Sequence, residues 1–225
     1  MMEGQRRFIA DAAHELRTPI TALSLQAENL DPVDMPPAAR DRVDALKRGM
    51  ARTKRLLEQL MALARQDADI CTIDERAFLD QVAKETVADL LPQASARGID
   101  LGFKSAETVS VRIDPISLAS VVRNLLENAI KFSPDGGAVD VTVRKEAEWA
   151  LFQVEDAGPG IPVDDLERAL EPFFRGHSKL EGSGLGLSIV KKIVDRHSGF
   201  IQLTNIEELG RSGLRAAVRL PCARS

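Results

Sequence analysis

Between Phe8 and Ala64 the apolar residues recur every three or four positions, and a cluster of prolines interrupts them. The first run, Phe8, Ala12, Leu16, Ile20, Leu23, Ala27 and Leu30, forms one stripe of an amphipathic helix. Asp31-Pro32 and Met35-Pro36-Pro37 end it, because proline has no N–H to donate and its ring clashes with the preceding turn. Val43, Leu46, Met50, Thr53, Leu57, Leu60 and Ala64 then alternate by three and four, a heptad seam broken by Thr53. Such a pattern predicts an antiparallel helical hairpin. One hairpin has too little surface to cover two apolar stripes, and two copies about a two-fold axis solve this as a dimeric four-helix bundle. The expected assembly is therefore a homodimer, although periodicity alone leaves open a packing of both helices on the rest of their own chain.

The pattern changes after the polar stretch Gln66 to Asp69. Arg76 to Gln93 reads as a helix, Ile99 to Lys104 and Val109 to Ile113 as short strands, and Pro115 to Phe132 as a helix with proline in its first turn. Val139 to Arg144 and Trp149 to Glu155 read as a hairpin, Ser183 to His197 as a helix, and Phe200 to Thr204 and Leu214 to Leu220 as strands. The sum is an α+β sandwich with helices on one face of a mixed sheet. The expected organisation is a helical hairpin over residues 1–66, a linker over 67–75 and a second domain over 76–222.

Composition removes several classes of function. Apolar residues make up 44% and charged residues 28%, an ordinary globular balance, and the net charge of −4 provides no basic field for nucleic acid or anionic lipid. Cys71 and Cys222 stand alone, with no second ligand at metal-binding spacing, and read as structural cysteines of a reducing compartment. No apolar run reaches the roughly 20 residues of a membrane helix, and Met1 to Arg7 lacks the apolar core of a signal peptide. The expectation is a soluble fragment without membrane contact, cut from a longer protein.

Four groups of residues stand out chemically. On a helical wheel His14 falls almost opposite the stripe centred on Leu16 and Leu23, facing water, with Glu15 beside it and Thr18 one turn on. Pro19 is placed to bend the helix there. Asn124, Asn128 and Lys131, spaced i, i+4, i+7, form a polar stripe away from Leu118, Val122, Leu125 and Ala129; a solvated helix face would look the same. Asp156-Ala157-Gly158-Pro159-Gly160 puts a carboxylate at a strand end beside glycines, as a plain turn would. Gly182-Ser183-Gly184-Leu185-Gly186-Leu187 opens a helix, where close glycines let backbone N–H groups approach an anion. No strand precedes it and no Lys-Ser/Thr pair follows, so dinucleotide and P-loop readings both fail.

Taken together, these segments resemble the boxes of the sensor histidine kinases of two-component systems. Phe8 to Ile20, containing His14-Glu15-Leu16-Arg17-Thr18-Pro19, is similar to the phosphoacceptor box, and Asn124 to Phe132 to the asparagine box. Asp156 to Gly160 resembles the first glycine box, Glu171-Pro172-Phe173-Phe174-Arg175 the phenylalanine box, and Gly182 to Leu187 the second glycine box. The boxes occur in the family's order from Phe8 to about Pro221; Ala157 and Pro159 fill variable places, and the lid is short.

The resemblance implies a Bergerat-type ATP-binding sandwich behind a dimerisation and histidine phosphotransfer hairpin. It implies that His14 attacks the γ-phosphorus of ATP, that Glu15 orients the ring and accepts its proton, and that Thr18 assists a phosphatase reaction on the partner. It implies that Asn124 and Asn128 hold Mg²⁺, and that Lys131 and Arg175 meet phosphate. It implies that Asp156 accepts from the adenine amino group, and that Phe132, Gly158, Gly160, Gly182, Gly184, Leu185, Gly186 and Leu187 line the ATP site. The implied partners are a second copy of the chain and the receiver domain of a response regulator, which takes the phosphoryl group on an aspartate. The implied location is the cytoplasm, as part of a bacterial inner-membrane receptor. Two rivals are an ATPase like those of chaperones and topoisomerases, in which a glutamate activates water, and a scaffold that only dimerises.

Overall fold

The computed structural model describes residues 26–27, 30, 35–36, 38–47, 49–50, 76–174, 184–208 and 211–223. His14, Glu15, Thr18, Arg175 and Gly182 lie outside the described residues, as do most of the first predicted helix and the second one beyond Met50. The chain divides into two compact units, Met1–Ile70 and Cys71–Ser225.

In the first unit, residues 38–47 and 49–50 are helical. The Pro36 carbonyl accepts from the Ala39 and Arg40 N–H groups at 2.9 and 3.1 Å, so Pro36 sits at the helix entrance, where its missing donor costs nothing. Leu46, on the predicted seam, is 54% exposed.

The second unit is built on a five-stranded mixed sheet. Its elements in chain order are β1 (Ala77–Phe78), α1 (Leu79–Ser95), β2 (Asp100–Ala106), β3 (Ser110–Val111), α2 (Pro115–Phe132), β4 (Ala138–Glu146), β5 (Trp149–Asp156), α3 (Gly186–Arg196), β6 (Phe200–Glu208) and β7 (Arg211–Pro221), with 3-10 turns at Val163–Asp165 and Arg168–Leu170 before α3. The sheet order is β2-β4-β5-β7-β6, with β2 parallel to β4 and the remaining pairs antiparallel. β1 pairs with β3 as a separate ribbon. The α+β class expected from the sequence is met.

Period-two alternation decides the faces of the sheet. Val139, Val141 and Val143 of β4, Phe152 and Val154 of β5, and Val218 and Leu220 of β7 are buried under the helices. On the other face Glu155 binds Lys104 at 2.6 Å and Arg215 at 2.6 Å, tying β2, β5 and β7 together. The register Glu146↔Trp149 leaves Ala147 and Glu148 as a two-residue turn, with Ala147 at φ 52°, the twist that a tight hairpin demands.

Helix α2 is the centre of the core and matches its predicted limits. Asp114 caps it, accepting from the Ser117 N–H at 2.8 Å, and Pro115 supplies the fixed first-turn φ. Leu118, Val121, Val122, Leu125, Leu126, Ala129 and Ile130 are all buried, and each large aliphatic contributes about 1.5–3 kcal/mol of burial. The other end is closed from a distance. Arg97 donates to the carbonyls of Ile130 at 2.6 Å and Ser133 at 2.8 Å while pairing with Asp135 at 2.8 Å.

Two helices start later than the sequence reading placed them. α1 starts at Leu79 rather than Arg76, because Ala77 and Phe78 are taken into the β1–β3 ribbon, and it runs through Pro92 to Ser95. α3 starts at Gly186 rather than Ser183, because Gly184 adopts φ 69° and cannot join a right-handed helix.

Candidate nucleotide-binding site

The polar stripe of α2 is where the predicted groups meet. Asn124 donates its Nδ2 to the Ser120 carbonyl at 2.8 Å, which commits the amine to its own helix and leaves Oδ1 for other partners. The Asn128 side chain makes no hydrogen bond to any described residue. A Cβ added to Gly186, the first residue of α3, would lie 3.1 Å from Asn124 Oδ1 and 3.3 Å from Asn128 Nδ2. Gly186 therefore allows the α3 N-terminus to sit directly on the two amides, and the positive end of that helix faces their dipoles. Lys131, in the last turn of α2, holds its ammonium 4.6 Å above the Phe132 ring.

Gly184 makes a second close approach. The Phe173 N–H donates to the Gly184 carbonyl at 2.9 Å, and a Cβ on Gly184 would come within 2.8 Å of the Phe174 carbonyl oxygen. Phe173 itself has φ 65° and is 67% exposed, whereas Arg168 covers the Phe174 ring at 4.4 Å. Leu185 is 2% exposed, so its side chain belongs to the core and its backbone alone can serve a ligand; Leu187, next in the helix, is half-buried.

Asp156 ends β5 on the other side of α2. Its Oδ1 accepts from the Gly158 N–H at 2.8 Å and the Leu214 N–H at 3.1 Å. Its second oxygen accepts nothing from any described residue. Burial pushes this carboxyl above the ordinary aspartate value, and the Gly158 and Leu214 N–H groups pull it back only in part. A Cβ on Gly158 would meet the Phe132 carbonyl oxygen at 2.8 Å, so the loop after Asp156 lies against the C-terminal end of α2. One helix thus joins the asparagines to the aspartate.

The donor set decides what ion this site suits. Among the described residues no group of three or more His, Cys, Asp or Glu is arranged to hold a metal. Two neutral amide oxygens fit Mg²⁺, which takes few protein ligands and fills its shell with water and phosphate oxygen, while the helix N-terminus beside them suits the phosphate rather than the cation.

Sequence reasoning missed the far side of the loop. Asn205 of β6 accepts from the Ile161 N–H at 2.9 Å and donates to the Ile161 carbonyl at 2.7 Å. Gly213 of β7 comes so close to the Asp156 carbonyl oxygen that no side chain fits there. Gly213 was legible as a glycine inside a strand pattern, a sign of close backbone approach; Asn205 carried no signal, because its partner lies 44 residues away.

A half-buried aspartate, an asparagine stripe and a glycine-opened helix, set around one helix on a mixed sheet covered on one face, define the class as a nucleotide-binding α+β sandwich. The family described as histidine kinase-, DNA gyrase B-, and HSP90-like ATPase matches residues 113–224, and the His Kinase A (phospho-acceptor) domain matches residues 4–69. The chain belongs to the sensor histidine kinases and carries the two domains of their catalytic core. It is 38% identical over 218 residues to the sensor protein QseC of Escherichia coli (strain K12), a match covering 93% of this chain and 47% of that protein. The chain thus spans about half the length of the curated relatives it matches. The structure of the cytoplasmic segment of histidine kinase QseC is similar at a TM-score of 0.54 and 28% identity, over 77% of this chain and 95% of that one. Full-length ShkA, solved in complex with AMPPNP, shares the fold at a TM-score of 0.74 and 24% identity, over 97% of this chain and 46% of its own. No described helix is long and apolar enough to cross a membrane.

Proposed function

We propose that the chain is the ATP-dependent histidine kinase portion of a two-component receptor, in which His14 takes the γ-phosphoryl group of ATP and passes it to an aspartate of a response-regulator receiver domain. Residues 1–66 would then be the dimerisation and phosphotransfer hairpin, 67–75 the linker and 76–222 the catalytic domain. The observation that carries the reading is Asp156. One of its oxygens is held by two backbone N–H groups while the other is left to accept, and its loop lies against the C-terminal end of the helix that presents Asn124 and Asn128.

Each residue then has a physical task. Asp156 accepts from the exocyclic amino group of adenine, a donor that guanine replaces with a carbonyl. Gly158 and Gly160 let the base-binding loop lie against the Phe132 carbonyl and the Asn205 amide, where a Cβ would not fit. Asn124 and Asn128 lend amide oxygens to Mg²⁺, and Lys131 and Arg175 offer positive charge to phosphate oxygens. The backbone of Gly182, Gly184, Leu185, Gly186 and Leu187 adds N–H groups and a helix dipole to the same phosphates. When bound, Mg²⁺ supplies charge neutralisation of the phosphate chain. His14 in its neutral form supplies the nucleophilic nitrogen, Glu15 takes its proton, and positioning does most of the rest.

A homodimer is supported by Leu46, an apolar seam residue more than half exposed in the single chain. Thr18, four residues after His14 in sequence, is the residue proposed for phosphatase action on the regulator. The parent protein is proposed to lie in a bacterial inner membrane with this portion in the cytoplasm.

Labelling with γ-labelled ATP and magnesium tests the reading. The wild type should acquire acid-labile, alkali-stable phosphate and pass it to a cognate receiver, and His14→Ala should acquire none. Steady ATP hydrolysis without protein label would favour the water-activating ATPase instead.

A further inference from the structure

Between Asp156 and Ile161 the chain leaves the sheet and has no ladder of its own. It is gripped at both ends by one cross-strand pair, Asn205 of β6 and Leu214 of β7. Leu214 gives its N–H to Asp156 Oδ1 at 3.1 Å. Asn205 spends both halves of its amide on Ile161, accepting at 2.9 Å and donating at 2.7 Å, and so imitates the paired bonds of a neighbouring strand. Two glycines permit this approach. A Cβ on Gly160, which has φ 73°, would lie 2.6 Å from Asn205 Oδ1, and one on Gly213 would run into the Asp156 carbonyl.

We propose that Asn205 is a positioning residue for nucleobase selection: its amide fixes the Ile161 end of the loop and thereby holds the free oxygen of Asp156 at the distance an adenine amino group requires. The inference rests on the assignment of Asp156 as the base-recognising carboxylate. Its physical basis is that a loop pinned at one end can swing about that end. A swinging loop lets the carboxylate yield to the carbonyl that guanine presents, whereas a loop pinned at both ends cannot move away from that repulsion. Asn205 is free for this task because its own strand is held by backbone pairing with Leu214, which needs no side chain.

The test uses the full chain with magnesium and either ATP or GTP, following autophosphorylation kinetics, nucleotide titration and thermal melting. The variants are Asn205→Ala, Asn205→Asp, which keeps the size and one acceptor, and Asp156→Ala. Loss of two neutral hydrogen bonds to the loop should raise the ATP KM of Asn205→Ala about tenfold. Its kcat should fall far less, and its preference for ATP over GTP should narrow by about the same tenfold. Asn205→Asp should lie between Asn205→Ala and wild type. Asp156→Ala should lose both ATP affinity and base preference. An unchanged ATP-to-GTP ratio in both Asn205 variants, with or without a lower melting temperature, makes Asn205 merely structural and overturns the proposal. Should Asp156→Ala bind ATP as the wild type does, the assignment of Asp156 itself fails and takes the proposal with it.

Discussion

At the scale of single residues, the environment of Asp156 works against its charge. Burial raises its pKa above the ordinary aspartate value, so folding favours the protonated form over the ionised one. The sign follows directly. In the nucleotide-free protein this group's contribution to stability rises as pH falls through its raised pKa and is lost again as pH climbs through it. Adenine recognition runs the other way, because only the ionised carboxylate is a full acceptor. ATP affinity should therefore weaken on acidification at a higher pH than an exposed aspartate would allow, and a calorimetric pH series should show it. Asp156→Asn should remove that step and cost about 1.5–3 kcal/mol of binding at neutral pH. A pH profile of the same shape in Asp156→Asn would count against this account.

At the scale of elements, α2 carries the site and is closed at both ends by different means. Asp114 and Pro115 begin it locally, but its C-terminal carbonyls are satisfied by Arg97, 33 and 36 residues upstream of Ile130 and Ser133. A cation at a helix C-terminus also opposes the helix dipole. Arg97→Ala should leave these carbonyls without their partner and cost about 1–3 kcal/mol, seen as a fall of several degrees in melting temperature. Arg97→Lys should recover only part, since an ammonium cannot fork between several acceptors as a guanidinium does. Full recovery by lysine would mean that charge alone matters here. ATP affinity should fall with Arg97→Ala as well, because Phe132, at that same helix end, supports Gly158 of the base-binding loop.

At the scale of the whole molecule, the two units are separable in principle. The buried apolar side chains between Ala77 and Leu220 form a core that lies within the second unit. A fragment of residues 71–225 should fold alone, unfold in one cooperative step and bind ATP within about twofold of the full chain. It should acquire no phosphate from labelled ATP, since the proposed acceptor His14 lies in the other unit. Circular dichroism and titration calorimetry check the first two expectations, and labelling the third. A fragment that is unfolded in isolation would show that the core borrows from residues 1–70.

What the amino-acid order determined by itself is what depends on near neighbours. Asp114-Pro115 and the three-four spacing of α2 set its limits, because capping and burial of one face are local properties. Apolar, β-branched and aromatic runs marked β4 and β5, and the resemblance of the boxes led to Asn124, Asn128, Asp156 and Gly186 without reference to coordinates. Tertiary structure alone decided what joins them. Folding brought Asn205 and Leu214, 44 and 58 residues from their partners, to the two ends of one loop, and turned Arg97 onto the end of α2. It also chose β4 as the parallel neighbour of β2 and delayed α3 to Gly186. The reason is physical. Periodicity records which face of an element is buried, whereas a long-range hydrogen bond depends on which edges the packed core leaves side by side.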